Sequence, residues 1–257
     1  MISQGFVQDA LASLTARGID PGPVLARAGI APDARGPVDN LQYGRLWLAI
    51  ADRIGCEIFG MAARPMRPGS FALMGHAVLH AGRLERALPR ALRFLNVVLD
   101  DPQGRLVLRE GRAEIVLTDR AGPRPAFAYR AYWLILLGLM CWLVGRRLPL
   151  VRVDFAGPAP PNRQDYRQFF GAPVHFDQPE SRLVLAARHL ALPTIRSEKA
   201  LKTFLRGAPA NILLRYRHDQ GVSGRVRALL RATAPAEWPD FDRLARDLGL
   251  SLSLIHI

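Results

Sequence analysis

The residues best suited to metal or nucleophilic chemistry are the six histidines and two cysteines of this 257-residue chain, and their spacing argues against both uses. His76 and His80 stand four apart in a helical pattern, so they share one face and supply two potential ligands. A zinc site needs more: no HExxH pattern and no acidic third ligand at useful spacing accompanies the pair, which reads better as one buried and one surface histidine. Cys56 and Cys141 have no CxxC neighbour and read as small apolar core residues. Serine nucleophile chemistry would call for a GxSxG elbow, which is absent. Gly69 to Gly75 has neither the glycine spacing nor the preceding strand of a phosphate-binding loop. These residues point to no catalytic group, no metal and no cofactor, and to a protein that is not an enzyme.

A different chemistry, contact with DNA phosphates, is suggested near the end of the chain. Asp240 is a short acceptor ahead of an apolar-periodic run and can cap a helix starting at Phe241. Phe241, Leu244, Ala245 and Leu248 then share a face, and Gly249 offers the left-handed stop that reverses the chain. Ser251 would cap a second helix, and small Ala245 suits a close helix crossing. Arg243 and Arg246 lie on the positioning helix as phosphate-contact candidates, or equally as solvated arginines balanced by Asp242 and Asp247. The pattern RVRALLR followed by PDFDRLARDLGLS resembles the start of the DNA-binding region of the AraC/XylS family of bacterial transcription regulators. The resemblance implies a recognition helix immediately after Ser251. Instead the chain reads LSLIHI, which resembles an in-frame translation of a transposon-end sequencing adapter. The expectation is a truncated helix-turn-helix domain over 224–251, a non-native tail over 252–257, and loss of the specific DNA binding that the intact protein would have.

Composition sets the frame. With 49% apolar and 22% charged residues the chain is an ordinary globular one, and a net charge of +13 favours polyanionic partners. Two distant cysteines fit a reducing cytoplasmic compartment, and the N-terminus has no basic region followed by an apolar signal core. The longest apolar run, AYWLILLGLMCWLVG from Ala131 to Gly145, is fifteen residues, short of the ~20 needed to cross a bilayer, so a buried core helix and no membrane partner are expected.

The elements that must position any site alternate in period. Helical spacing runs from Phe6 to a stop at Gly18, from Pro23 to Gly29, from a cap at Asn40 through LQYGRLWLAIADRI, from a cap at Ser70 to Gly82, and over Arg83 to Leu99. Strand patterns follow at Arg105–Arg109 and Arg112–Thr118 around Glu110-Gly111, then the long helix Phe127–Val144, then strands at Leu150–Phe155, Pro173–Phe176 and Arg182–Ala186. A short helix over Arg163–Phe170 stops at Gly171, and Ser197 caps a last helical stretch that Pro209 must break. Two hairpins separated by a long helix predict an α+β fold, a helix-rich N-terminal domain on a small antiparallel sheet, over residues 1–214. The polar, glycine-containing stretch 215–223 reads as a linker to the incomplete all-α helix-turn-helix domain.

The segment GSFALMGHAVLHAGRLERAL and the run VRVDFAGPAPPNRQDYRQFFGAPVHFDQPESRLVLAARHLALP are similar to the N-terminal domain called arabinose-binding in a subset of AraC-type regulators, over most of residues 5 to 210. What that resemblance implies is a sensing or dimerising domain with a small-molecule effector, and a homodimer as a further partner. An effector cavity is expected between the sheet and the long helix, near Phe71, His76, Tyr129 and Trp133, with Arg130 available to an anionic group. The aromatic residues of the long helix fit core packing as well as a pocket wall. The alternative is a stand-alone small-molecule-binding or structural module without DNA binding.

Overall fold

The structure, a computed structural model, describes residues 1–216, 238–240, 242 and 243. Contacts divide the chain into two units, Met1–Tyr216 and Arg217–Ile257. The expected linker beyond Tyr216, the helix-turn-helix positions after Arg243 and the tail lie outside the described residues.

The first unit opens with three helices whose ends follow local chemistry. Helix α1 (Gln4–Thr15) turns Phe6, Val7, Ala10, Leu11 and Leu14 inward. Helix α2 (Gly22–Ala28) begins with proline in its first turn and closes on Gly29 at φ 68°. Helix α3 (Asn40–Ile54) is capped by Asp39 rather than by Asn40: the Asp39 carboxylate accepts from the Gln42 N–H at 2.6 Å, and the Gln42 side chain accepts from the Asp39 N–H at 3.1 Å. Asn40 is one residue too late, already helical.

Helix α4 (Ser70–Leu79) corrects a second expectation, because Ser70 is its first helical residue and makes no cap. The carboxylate of Glu57 performs that service from outside, accepting from Gly69 N at 2.7 Å and Phe71 N at 2.8 Å. A negative group at a helix N-terminus also suits the positive end of the peptide dipole. Helix α5 (Leu84–Leu99) buries Leu84, Leu88, Ala91, Leu92 and Leu95 as its periodicity predicts.

Strands β1 (Gln103–Arg109) and β2 (Arg112–Thr118) form the expected hairpin, and both loop residues, Glu110 and Gly111, have positive φ, as a two-residue turn of matching twist requires. The remaining strands do not form a second hairpin. β3 (Leu150–Asp154) is followed by helix α7 (Arg163–Phe170), and this crossover returns the chain so that β4 (Val174–His175) runs parallel to β3. β5 (Ser181–Ala186) then enters between the hairpin and β3, antiparallel to both, giving the order β1-β2-β5-β3-β4. The small sheet is therefore mixed, and the architecture remains α+β. Its inward residues Ala113, Ile115, Leu117, Val153, Leu183 and Leu185 join one core with α5 and the long helix α6 (Ala126–Val144).

Helix α6 has 19 residues, longer than the apolar run alone suggested, because Ala126 to Arg130 continue the helix on its N-terminal side. By length and composition it could cross a membrane, yet all 19 residues are buried within the protein. Helices α8 (Glu198–Arg206) and α9 (Ala210–Tyr216) end the unit; Ser197 Oγ caps α8 through Ala200 N at 3.3 Å. Proline 209, lacking an N–H, separates the two helices. Helix α9 approaches α3 and α6 where both carry glycine. A Cβ on Gly44 would stand 2.8 Å from that of Ala210, and one on Gly138 would collide with Ile212.

Candidate functional site

The five residues expected around one pocket occupy several environments. Phe71 is 9% exposed and borders a cavity on the helical side of the unit. His76 is exposed on α4, away from that cavity's lining, and His80 is exposed with Nε2 3.4 Å from Glu198. Neither histidine is the buried one, and no group able to hold a metal occurs among the described residues. Trp133 is fully buried beside Tyr132, the rings edge to face at 5.3 Å. Tyr129 and Arg130, neighbours on α6, face different polar surroundings.

Tyr129 belongs to a closed polar cluster. Its hydroxyl donates to Asp119 Oδ2 at 2.6 Å and accepts from Arg124 N at 2.8 Å. Arg124 in turn gives Nε to Asp119 Oδ1 at 2.8 Å, Nη2 to Asp101 Oδ2 at 2.5 Å and Nη1 to the Met61 carbonyl at 3.0 Å. Burial pushes the Tyr129 hydroxyl up to about 12, and its bond to Asp119 pushes the same way. Burial likewise raises the Asp119 carboxyl, against the pull of Tyr129 and Arg124. The cluster ties the Asp101 loop to the start of α6. Such a closed network holds structure and leaves Tyr129 nothing to offer a ligand.

Arg130 has the opposite surroundings. It is 0% exposed, and Nε, Nη1 and Nη2 all lack a hydrogen-bond partner. Its guanidinium carbon lies 3.7 Å from the centroid of Phe6 and 4.2 Å from that of Phe169, with Phe127 and Tyr43 at 5.6 and 5.9 Å. Cation–π attraction offsets part of the desolvation cost, and no carboxylate closes the account.

The cavity beside Phe71 has a volume of about 150 Å³. Trp47 and Ala51 of α3, Met66, Ala72 of α4, Ile135 of α6, and Leu205, Ala208, Pro209 and Ile212 from the α8–α9 elbow line it with Glu57. It opens among helices, away from the expected place between sheet and α6. Its one acid, Glu57, has its carboxyl raised by burial against the two α4 N–H groups that lower it. Of the expected residues only Phe71 contributes. The elbow was signalled by Pro209, but nothing local said that it would fold back over α3. A wider, open cleft of about 490 Å³ lies across α8, floored by Trp142 and Phe204 stacked at 4.5 Å and rimmed by Arg196 and Lys199.

In the second unit, Asp240 Oδ1 accepts from Arg243 N at 2.8 Å, and residues 242 and 243 are helical. Arg243 is exposed. Arg246, Gly249 and Ser251 lie outside the described residues.

The family model described as the arabinose-binding domain of AraC transcription regulators, N-terminal, matches residues 18–194. The chain belongs to this AraC-type family. That family is one of transcription regulators rather than enzymes. This AraC-type chain is 28% identical over 251 residues to an ornithine utilization regulator of Pseudomonas aeruginosa, covering 95% of the chain and 74% of the relative. A crystal structure of the transcriptional regulator CdpR from Pseudomonas aeruginosa is 19% identical, with a TM-score of 0.37, 99% of this chain and 78% of that one being covered. The AraC-type match runs from just before α2 to Thr194, so the α8–α9 elbow over the cavity follows it in the chain.

Proposed function

We propose that the chain is part of a one-component transcription regulator whose N-terminal unit senses a small molecule and whose residues from 224 onward begin the DNA-binding part. The observation that carries this reading is the position of the apolar cavity. One wall is the α8–α9 elbow, and α9 leads directly into the second unit. A ligand with different affinity for two elbow positions would bias them by that difference, tenfold for each ~1.4 kcal/mol. A cavity of about 150 Å³ is of the order that accepts a benzene-sized group. The relative's name, an ornithine utilization regulator, suggests a small metabolite as effector.

In this reading the protein works in the cytoplasm, where its DNA is. The Asp240 cap supports a helix at the start of the helix-turn-helix, with Arg243 and Arg246 toward phosphate and Gly249 and Ser251 at the turn. Two measurements test the proposal. Chromatin immunoprecipitation of the protein expressed from its own locus should give discrete sites, and uniform background would contradict DNA recognition. The same sites fused to a reporter should respond to growth on different small nutrients. Ala72→Phe, which fills the cavity, should abolish that response while keeping promoter occupancy; an unaltered response would remove the cavity from the mechanism.

A further inference from the structure

Beyond the apolar cavity, Arg130 carries an unmet requirement. Its five N–H groups are all donors, and none of its three nitrogens meets a carboxylate or a carbonyl; the Tyr43 hydroxyl is an acceptor near enough to interact with it. The rings around it satisfy its charge in part through their faces, but a ring face takes no strong hydrogen bond from the guanidinium edge. Across the shared Phe6 ring and within reach of the Arg130 charge, the Tyr166 hydroxyl is also buried without a partner. Tyr43 uses its own hydroxyl proton on the Phe6 carbonyl, at 3.3 Å. The unmet groups are thus hydrogen-bond donors clustered on one buried cation.

The acid nearest in influence is Asp9 of α1. It makes no ion pair with Arg130; its carboxylate accepts from Asn162 Nδ2 at 3.1 Å. Burial raises the Asp9 carboxyl, and the field of Arg130 only partly opposes this. Asp9, Asn162 and Asp165 are all partly exposed along the seam between α1 and α7, which a second bond, Ser3 Oγ to Asp165 Oδ2 at 2.6 Å, also bridges. The seam is held by side-chain hydrogen bonds that can exchange for water, and Asp9 within it feels the charge of Arg130.

We propose that Arg130, with the Tyr166 hydroxyl, is a binding site for a small monocarboxylate. A carboxylate has the planar pair of acceptors that a guanidinium edge meets with two parallel bonds, and Tyr166 supplies a third donor. The Phe6, Phe127 and Phe169 rings fit an apolar or aromatic remainder on the same molecule. Phosphate and other dianions fit less well, since a single cation faces them and Asp9 adds repulsion. The site is separate from the cavity under the α8–α9 elbow and stands whether or not that cavity holds an effector. Its occupant would nonetheless be felt there: α3 places Tyr43 beside Arg130 and the next residue, Gly44, against Ala210 of α9.

The test uses the whole chain with benzoate as probe and benzamide as its uncharged counterpart, at constant ionic strength, read by calorimetric titration and thermal unfolding. Benzoate should bind and raise the melting temperature, and benzamide should do neither. Arg130→Gln should weaken benzoate by at least about tenfold, the scale of losing a charged hydrogen bond. Should that variant fail to fold, two milder ones decide. Tyr166→Phe should weaken benzoate several-fold, and Asp9→Asn should tighten it by removing a like charge. No binding by the wild type, equal effects of benzoate and benzamide, or benzoate affinity untouched in all folded variants would overturn the proposal.

Discussion

Two arginines six residues apart, Arg124 partly buried and Arg130 fully so, make the most instructive contrast in the molecule. Arg124 spends its guanidinium on Asp101, Asp119 and the Met61 carbonyl, and the hydroxyl of Tyr129 completes the cluster. Arg130 is fully buried and meets no carboxylate or carbonyl, only the Tyr43 hydroxyl and aromatic faces. Arg124 keeps some contact with solvent and has its acceptors in place, whereas Arg130 is enclosed by rings. A charge with its acceptors in place fixes the backbone around it, whereas a charge with only aromatic walls retains capacity for an acceptor from outside.

The contrast breaks most directly by mutation. Arg124→Met should destabilise the first unit by about 3–5 kcal/mol, because Asp101 and Asp119 are left buried without their cation. Urea unfolding measures this, and a loss below about 1 kcal/mol would mean that the cluster is not structural. Gly138→Ala comes next in size. The added methyl meets Ile212 of α9, and overpacking of this kind costs about 1–3 kcal/mol. If α9 yields without cost, the elbow is loose and the coupling route from α3 and α6 is weakened.

Glu57 sharpens the comparison as a third charge, half-buried and intermediate between the arginines in its partners. It has hydrogen-bond donors but no cation, and burial holds its carboxyl above the ordinary 4.5. A folded state that holds a proton more tightly than the unfolded chain gains stability at low pH and loses it as pH rises through the raised value. Wild-type stability measured against Glu57→Gln should therefore decline from pH 4.5 upward and level off once the folded carboxyl has ionised. The opposite slope would show that the α4 N–H groups outweigh burial. Smallest of all should be Arg130→Met, within about 1 kcal/mol of wild type in the absence of ligand, since it removes an unpaired cation and keeps the apolar stem. A loss as large as that of Arg124→Met would erase the distinction between the two.

What the sequence made legible follows the range of the interactions involved. Helix periods, the stops at Gly29 and Gly171, and the Glu110-Gly111 hairpin depend on residues a few positions apart, and each is read from its own neighbourhood. The family patterns likewise span contiguous stretches. The cap on α4 comes from Glu57, twelve residues before Gly69, where Ser70 was the local candidate. The insertion of β5 between β2 and β3 depends on pairing across more than sixty residues from Arg112 to Ala186, and no local pattern distinguishes it from a second hairpin. The site shows the same limit. Arg130 was expected to be available to an anionic group, but its aromatic walls come from α1, α3 and α7 as well as its own helix, and Tyr129 beside it turned to an unrelated cluster.

The most direct measurement compares the two arginines in one sample. In the whole chain labelled with ¹⁵N, the Nε–H resonances of Arg124 and Arg130 are followed while benzoate is added. The account predicts that the Arg130 signal moves downfield and saturates as its edge gains a carboxylate, while that of Arg124, already bonded to Asp119, stays in place. A titration in which the Arg130 signal does not move, or moves only together with that of Arg124, would contradict it.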